Sequence, residues 1–326
     1  MLYTLFILGS VSTIGGTNEA GRDYWLSFLI GGIIGLGFNQ IYTRIGQKMV
    51  KTSRLFRAVS AITATFTAAI SLSLFTTFIS QMTLVATPDV IIASFIALTV
   101  YMMCRGGLSV LTRLGELIFP VVIILITIAS LGSLEQADFT ALLPILQNGI
   151  APLLNGTFTS FAFYFAEGFT AVMLLSQMEE NGNRKSGIIW GTIFVTAFVT
   201  MIFIRNLAVL GYPFVGSLYF PSYTVASIIT LGKFFQRMEV LISIVFILCK
   251  LMKICILEEY VKMTAESLTG KAIGYGIVTL VIFNLSQMLF SGIADAFIWL
   301  ETYRYYLILP CIILPLIEAV RLKNSK

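Results

Sequence analysis

Few side chains in this sequence can do chemistry in an apolar setting, and each stands out against its neighbours. Glu167 lies deep in an apolar run, between Ala166 and Gly168. Lys250 and Lys253 lie near the middle of another, about a turn apart on neighbouring helical faces. An isolated charge in a low-dielectric interior is costly unless it is paired or neutralised, so such residues mark sites. Lys253 is expected to neutralise either Glu167 or the carboxylate of a ligand, and Lys250 is either a second such cation or a snorkelling side chain. Gly9-Ser10 and Glu167-Gly168 are candidate interruptions of their helices. Glycine also serves close packing, so for Gly9-Ser10 a break and a tight contact both remain open. A break would free backbone groups that, in a membrane, must face a cavity or a ligand. The N-terminus of a half-helix would then offer partial positive charge to a carboxylate. Thr63, Thr67 and Ser71 recur at i, i+4 and i+8 and share one helical face. Their hydroxyls bond back to the preceding turn, line a helix contact or face a polar cavity.

Other chemistry is excluded by what is missing. The sequence has no histidine, which removes His-based metal sites and Ser-His or Cys-His catalysis. Cys104, Cys249, Cys255 and Cys311 have no CxxC spacing and sit in or beside apolar runs, where cysteine acts as a small buried hydrophobe. No nucleophile–base pair, metal cluster or cofactor motif is visible, so the chain does not read as an enzyme, and no cofactor is expected. Arg205 and Asn206 interrupt an apolar run near its end and read as snorkelling to a membrane surface.

The elements that must position these residues follow from composition. The chain has 326 residues, 57% hydrophobic and 11% charged, whereas a soluble globule is about a quarter charged. Its outer solvent must therefore be lipid. Spans of about 20 residues allow roughly nine to eleven of them. Apolar runs fall near 2–16, 24–43, 58–84, 88–104, 108–131, 153–178, 186–212, 234–266, 272–291 and 302–322. No cleaved signal peptide is apparent at Met1 to Gly16. Arg44, Lys48, Lys51, Arg54 and Arg57 crowd one loop, and Arg105, Arg113, Arg184, Lys185, Lys271, Arg321, Lys323 and Lys326 fall on the same side. The opposite loops hold Arg22, Lys233 and Arg304 beside Glu19, Asp23, Asp89, Glu135, Asp138, Asp295 and Glu301. Basic loops stay cytoplasmic, so both termini are expected inside, with an even number of spans; the net charge of +5 is a topology signal and not a nucleic-acid footprint. The runs at 58–84 and 234–266 would be about 40 and 50 Å long, more than the roughly 30 Å hydrocarbon core. Each is third in a set of five, and the first member of each set carries an interruption. The pattern predicts an all-α polytopic membrane domain over 1–326, with repeat one over about 1–131 and repeat two over about 153–322. Paired weak points in two halves point to an inverted-repeat transporter core with its site at the midplane.

Several stretches together resemble a known family. LGSVSTIGGTNEAGRDYW at 8–25 resembles the first span and loop of spore germination permeases. TPDVI at 87–91, RGGLSVLTRLGE at 105–116 and AEGF at 166–169 resemble further motifs of that family. YFPSYTVASIITLGKFFQRME at 219–239, followed by Lys253, is the most specific part, with Pro221, Phe235, Arg237, Glu239 and Lys253 at family-like spacing. The resemblance implies a LeuT-like 5+5 inverted repeat of the amino acid–polyamine–organocation superfamily, with about ten transmembrane helices and helices 1 and 6 broken. It also implies a germinant-receptor B subunit in the inner membrane of a bacterial endospore, binding an amino acid or other small nutrient and working with A and C subunits. Carried over by position, Gly9 with Ser10, Thr63, Thr67, Ser71, Glu167 with Gly168, and Lys253 would contact the ligand. Family members usually have a short arm before the first helix; here the chain starts almost inside it, so the first half-helix is expected to be incomplete. The competing reading is an H⁺- or Na⁺-coupled amino acid permease, because fold alone does not separate sensing from transport.

Overall fold

The structure, a computed structural model, describes residues 1–11, 19–177, 184–228, 237–290 and 292–324. Phe235, Lys233, Lys326 and positions 12–18 of the first motif, all singled out above, lie outside the described residues. Among the described residues every regular element is helical. The helices are α1 (Leu2–Val11), α2 (Tyr24–Gly46), α3 (Arg54–Met82), α4 (Asp89–Cys104), α5 (Gly107–Gly132), α6 (Ile150–Ser160), α7 (Phe169–Leu175) and α8 (Arg184–Leu210). They continue with α9 (Pro221–Ile228), α10 (Glu239–Thr269), α11 (Tyr275–Leu289), α12 (Ile293–Tyr306) and α13 (Leu314–Asn324). A wide, π-helical stretch joins α6 to the turn before α7 (Phe161–Ala166), and another joins α12 to α13 (Ile308–Ile313).

Seven helical stretches are long and apolar enough to cross a membrane, counting α6 with α7 and α12 with α13 as one each. Shorter apolar helices, α1, α4 and α11, occupy the other apolar runs. The chain is an integral membrane protein. The expectation of two over-long helices holds: α3 has 29 residues and α10 has 31, which is about 43 and 46 Å at the α-helical rise. Ser53 starts α3 by accepting a hydrogen bond from the Phe56 amide, and Gly270 ends α10 in the left-handed conformation that glycine tolerates best.

The layers differ in what surrounds them. In the most apolar 18-residue window of Ile150–Leu175, 83% of the residues are buried inside the protein, against 33% in the corresponding windows of Gly107–Gln136 and Ile293–Asn324. The first is a central element, and the other two turn most of their apolar surface outward, as lipid-facing helices do. At the centre stands α10, which packs against α1, α3, α4, α5, α7, α9 and α11. The last helical stretch starts at Ile293, well before the expected 302, and takes in Asp295 and Glu301, which the sequence pattern assigns to a loop. Those charges do not stop the helix: Asp295 sits in its first turn, where it suits the helix dipole, and Arg304 further on pairs with Glu19 and Thr159.

Candidate functional site

Glu167 and Lys253 meet. Glu167 Oε1 lies 2.7 Å from Lys253 Nζ, and both side chains are buried. The two belong to apolar runs far apart in the chain, and the fold supplies the contact. The wide stretch Phe161–Ala166 makes it possible. There the Glu167 amide bonds to the Ala162 carbonyl, five residues back instead of four. The extra residue in the turn rotates Glu167 toward α10. Gly35 of α2 makes room behind it: a Cβ at Gly35 would stand 2.7 Å from the Phe165 ring. On the far side, Lys253 Nζ lies 5.4 Å from the centre of the Phe6 ring of α1, which adds a cation–π contact.

Gly9 belongs to the same cluster, though not as a break. The helix α1 runs through Gly9 and Ser10 without interruption. A Cβ at Gly9 would come 2.6 Å from the Cys249 carbonyl oxygen and 2.9 Å from Lys253 Cβ. The glycine therefore lets two helix backbones touch, the alternative that its sequence left open. Ser10 Oγ bonds back to the Phe6 carbonyl within its own helix. Within the described part of α1, which ends at Val11, close packing uses the small residue and the Ser10 hydroxyl is already satisfied. At Glu167-Gly168 the interruption is present but mild, a turn that keeps right-handed helical backbone at both residues.

The hydroxyl stripe separates into its alternatives. Thr63 Oγ1 donates back to the Val59 carbonyl, so it serves its own helix. Thr67 Oγ1 lies 2.9 Å from the Tyr303 hydroxyl of α12, a helix–helix contact. Ser71 is buried. The Tyr303 ring in turn faces Phe163 of the wide stretch, with centroids 6.3 Å apart. Gly168 abuts the Tyr3 ring of α1, and the Tyr3 hydroxyl accepts from Asn39 Nδ2, which also reaches Thr192.

Two buried basic side chains have no carboxylate bonded to them among the described residues. Lys250 is 3% exposed and, among the described residues, makes no hydrogen bond or ion pair; Glu167 and Lys253 act on it through space. Arg205 is 5% exposed, which overturns the snorkelling reading. Its guanidinium donates to Asn206 Oδ1 and Ser130 Oγ, and Asn206 Nδ2 reaches Ser222 Oγ. Ser130 and Ser222 come from α5 and α9, remote in sequence, which is why the burial was not legible. Arg205 also lines a small cavity of about 30 Å³ with Leu8, Val11, Pro221, Ser222 and Phe246. That space suits one or two waters, so a nutrient-sized molecule would need the helices around it to part. The four cysteines are free and buried, as expected.

A sequence profile described as "Spore germination protein" matches residues 1–291. The chain belongs to the spore germination protein family. Among curated relatives, spore germination protein KB of Bacillus subtilis (strain 168) is 26% identical over 271 residues, covering 76% of this chain and 71% of the relative. Spore germination protein YndE of the same strain is 28% identical over 200 residues, 56% of this chain and 54% of the relative. Family membership gives the buried pair its context: this is a permease and germinant-receptor family and not an enzyme class.

Proposed function

We propose that this chain is the membrane-embedded nutrient-sensing subunit of a spore germinant receptor, and that its ligand carries a carboxylate, as an amino acid does. The observation that carries the reading is the charge balance of the interior. Glu167 is paired with Lys253, and two further buried basic side chains nearby, Lys250 and Arg205, have no carboxylate partner among the described residues. Buried charge without a counter-ion is costly, so the resting site favours an anionic group. In this reading Gly9, Ser10, Thr67, Ser71, Glu167, Gly168 and Lys253 surround the ligand, and Thr63 supports α3 without touching it. The short helices α1, α4 and α11 belong to three further spans, for ten in a LeuT-like 5+5 arrangement. The protein sits in the inner membrane of the endospore with both termini on the core side, and A and C subunits complete the receptor.

Thermal unfolding of the purified protein against a panel of amino acids, each beside its amide and its decarboxylated amine, tests this. Selective stabilisation by a free carboxylate, lost in Lys250→Met or Arg205→Gln, is the expected result. Equal stabilisation by acid and amide would sink the carboxylate assignment. No shift for any compound, alone or in complex with an A subunit, would sink the sensing role. Net accumulation of the stabilising compound by vesicles holding this protein alone would replace sensing by coupled permeation.

A further inference from the structure

Glu258, on α10, is fully buried. It makes no ion pair among the described residues. Its Oε1 lies 2.6 Å from Thr279 Oγ1 of α11, and its Oε2 has no hydrogen-bond partner. The same Thr279 hydroxyl lies 2.9 Å from the Tyr275 carbonyl oxygen. A hydroxyl carries one hydrogen, so it cannot donate to both oxygens. If Glu258 were ionised, one of two close oxygen–oxygen contacts would lack a hydrogen, and a buried negative charge would face no cation. If Glu258 carries a proton, both contacts are satisfied. The acid donates to Thr279 Oγ1, Thr279 donates to the Tyr275 carbonyl, and the bare Oε2 is a neutral carbonyl oxygen. The 2.6 Å separation is within the normal range for such an O–H···O bond.

The surroundings favour the same state. The titratable groups around Glu258 are Glu259 and Cys255 on its own helix, Cys104 on α4 and Tyr275 on α11. The nearby α3 brings Arg57 only to the Ser267 carbonyl, more than two turns further on. None of these supplies a positive charge to Glu258. Glu259 is half-buried, and its Oε2 accepts from the Tyr275 hydroxyl; Lys262 lies over the Tyr275 ring and pairs with Glu266. Glu259, the next residue along, acts on Glu258 through space and belongs to a polar group with Tyr275, Lys262 and Glu266 toward the exposed end of α10.

We propose that Glu258 is a proton-binding site inside the membrane, loaded in this conformation, whose proton exchanges with water through Glu259. In the exchange the Glu258 carboxyl gives H⁺ to the Glu259 carboxylate, which releases it to solvent, and the reverse steps reload it. The site is independent of the nutrient reading: it requires no ligand, and its failure would leave Glu167 and Lys253 untouched.

Infrared difference spectra of the purified wild-type protein and Glu258→Gln, in H2O and D2O, test this. Expected is the C=O band of one protonated carboxyl at neutral pH in the wild type, absent from Glu258→Gln. Glutamine mimics the neutral acid, so the variant should unfold at the wild-type temperature. A protein whose glutamates show only carboxylate bands at neutral pH, or a protonated band that survives in Glu258→Gln, would overturn the proposal. If that variant does not fold, wild-type chain labelled with 13C at the glutamate carboxyls reports the protonation state through the same band, and dicyclohexylcarbodiimide, which modifies protonated carboxyls, adds the position. It can approach through the apolar groove of about 330 Å³ between α4 and α11 that Thr279 lines. An adduct on the Glu258 peptide is expected, and its absence under conditions that label another glutamate would overturn the assignment. Glu259→Gln should slow H/D exchange of the band by at least about tenfold; an unchanged rate would overturn the route through Glu259.

Discussion

The helix α1, first of the chain, and the sixth apolar stretch, Ile150–Leu175, meet the same partner, α10, with opposite backbones. The first helix stays regular and comes close: at Gly9 the missing side chain lets it rest on the Cys249 carbonyl. The sixth widens: the π-helical stretch before Glu167 swings a charged side chain across the gap to Lys253. Each place holds a glycine, in Gly9-Ser10 and in Glu167-Gly168. A glycine whose neighbour is backbone serves contact. One beside an acid that must find a cation sits where the helix has changed its pitch.

The largest expected effect tests the wide turn. Lys253→Met leaves Glu167 buried without its ion pair and should cost about 3–5 kcal/mol of stability, read as a fall in unfolding temperature in detergent. The double variant Glu167→Gln with Lys253→Met should recover most of that loss, because an apolar and a neutral residue replace the pair. Should the single variant unfold at the wild-type temperature, the pair does not hold the wide turn in place. Next comes the close contact. Gly9→Ala forces a methyl against backbone that cannot move aside, and overpacking of this kind costs about 1–3 kcal/mol. An unchanged unfolding temperature would mean that the two helices are not in contact. Behind the wide turn, Tyr303→Phe removes the hydrogen bond to Thr67 and should cost about 1 kcal/mol, with no further loss when Thr67→Val is added. The smallest effect is at Thr63, whose hydroxyl bonds only to its own helix. Thr63→Ala should stay within about 0.5 kcal/mol of wild type and leave any ligand response intact, whereas a lost response would return Thr63 to the site.

The parts of this arrangement legible in the sequence are those with a single physical meaning. Glu167 and Lys253 in apolar runs have to be neutralised, and they neutralise each other. The over-long α3 and α10 follow from long stretches with little charge. Gly9-Ser10 is ambiguous because small residues suit a break and a contact equally, and only the identity of the neighbour, Cys249, decides. Arg205 stands where snorkelling is reasonable; its burial depends on Ser130 and on Asn206 with Ser222, a long-range arrangement that spacing does not reveal. Glu258 gives no signal, since a Glu-Glu-Tyr sequence near the end of a helix resembles an exposed terminus until α4 and α11 cover it. The wide stretches are equally silent: Phe161–Ala166 reads as an ordinary apolar run, and only Pro310 hints at the second.

Those two wide stretches touch each other in the protein interior, and the Tyr42 hydroxyl holds the second by the Cys311 carbonyl. A π-turn stores one residue more than an α-turn. Two such reserves of slack lie back to back, one leading to Glu167 and one in the outward-facing stretch Ile293–Asn324, so the surplus residue that brings Glu167 to Lys253 has a matching surplus beside it.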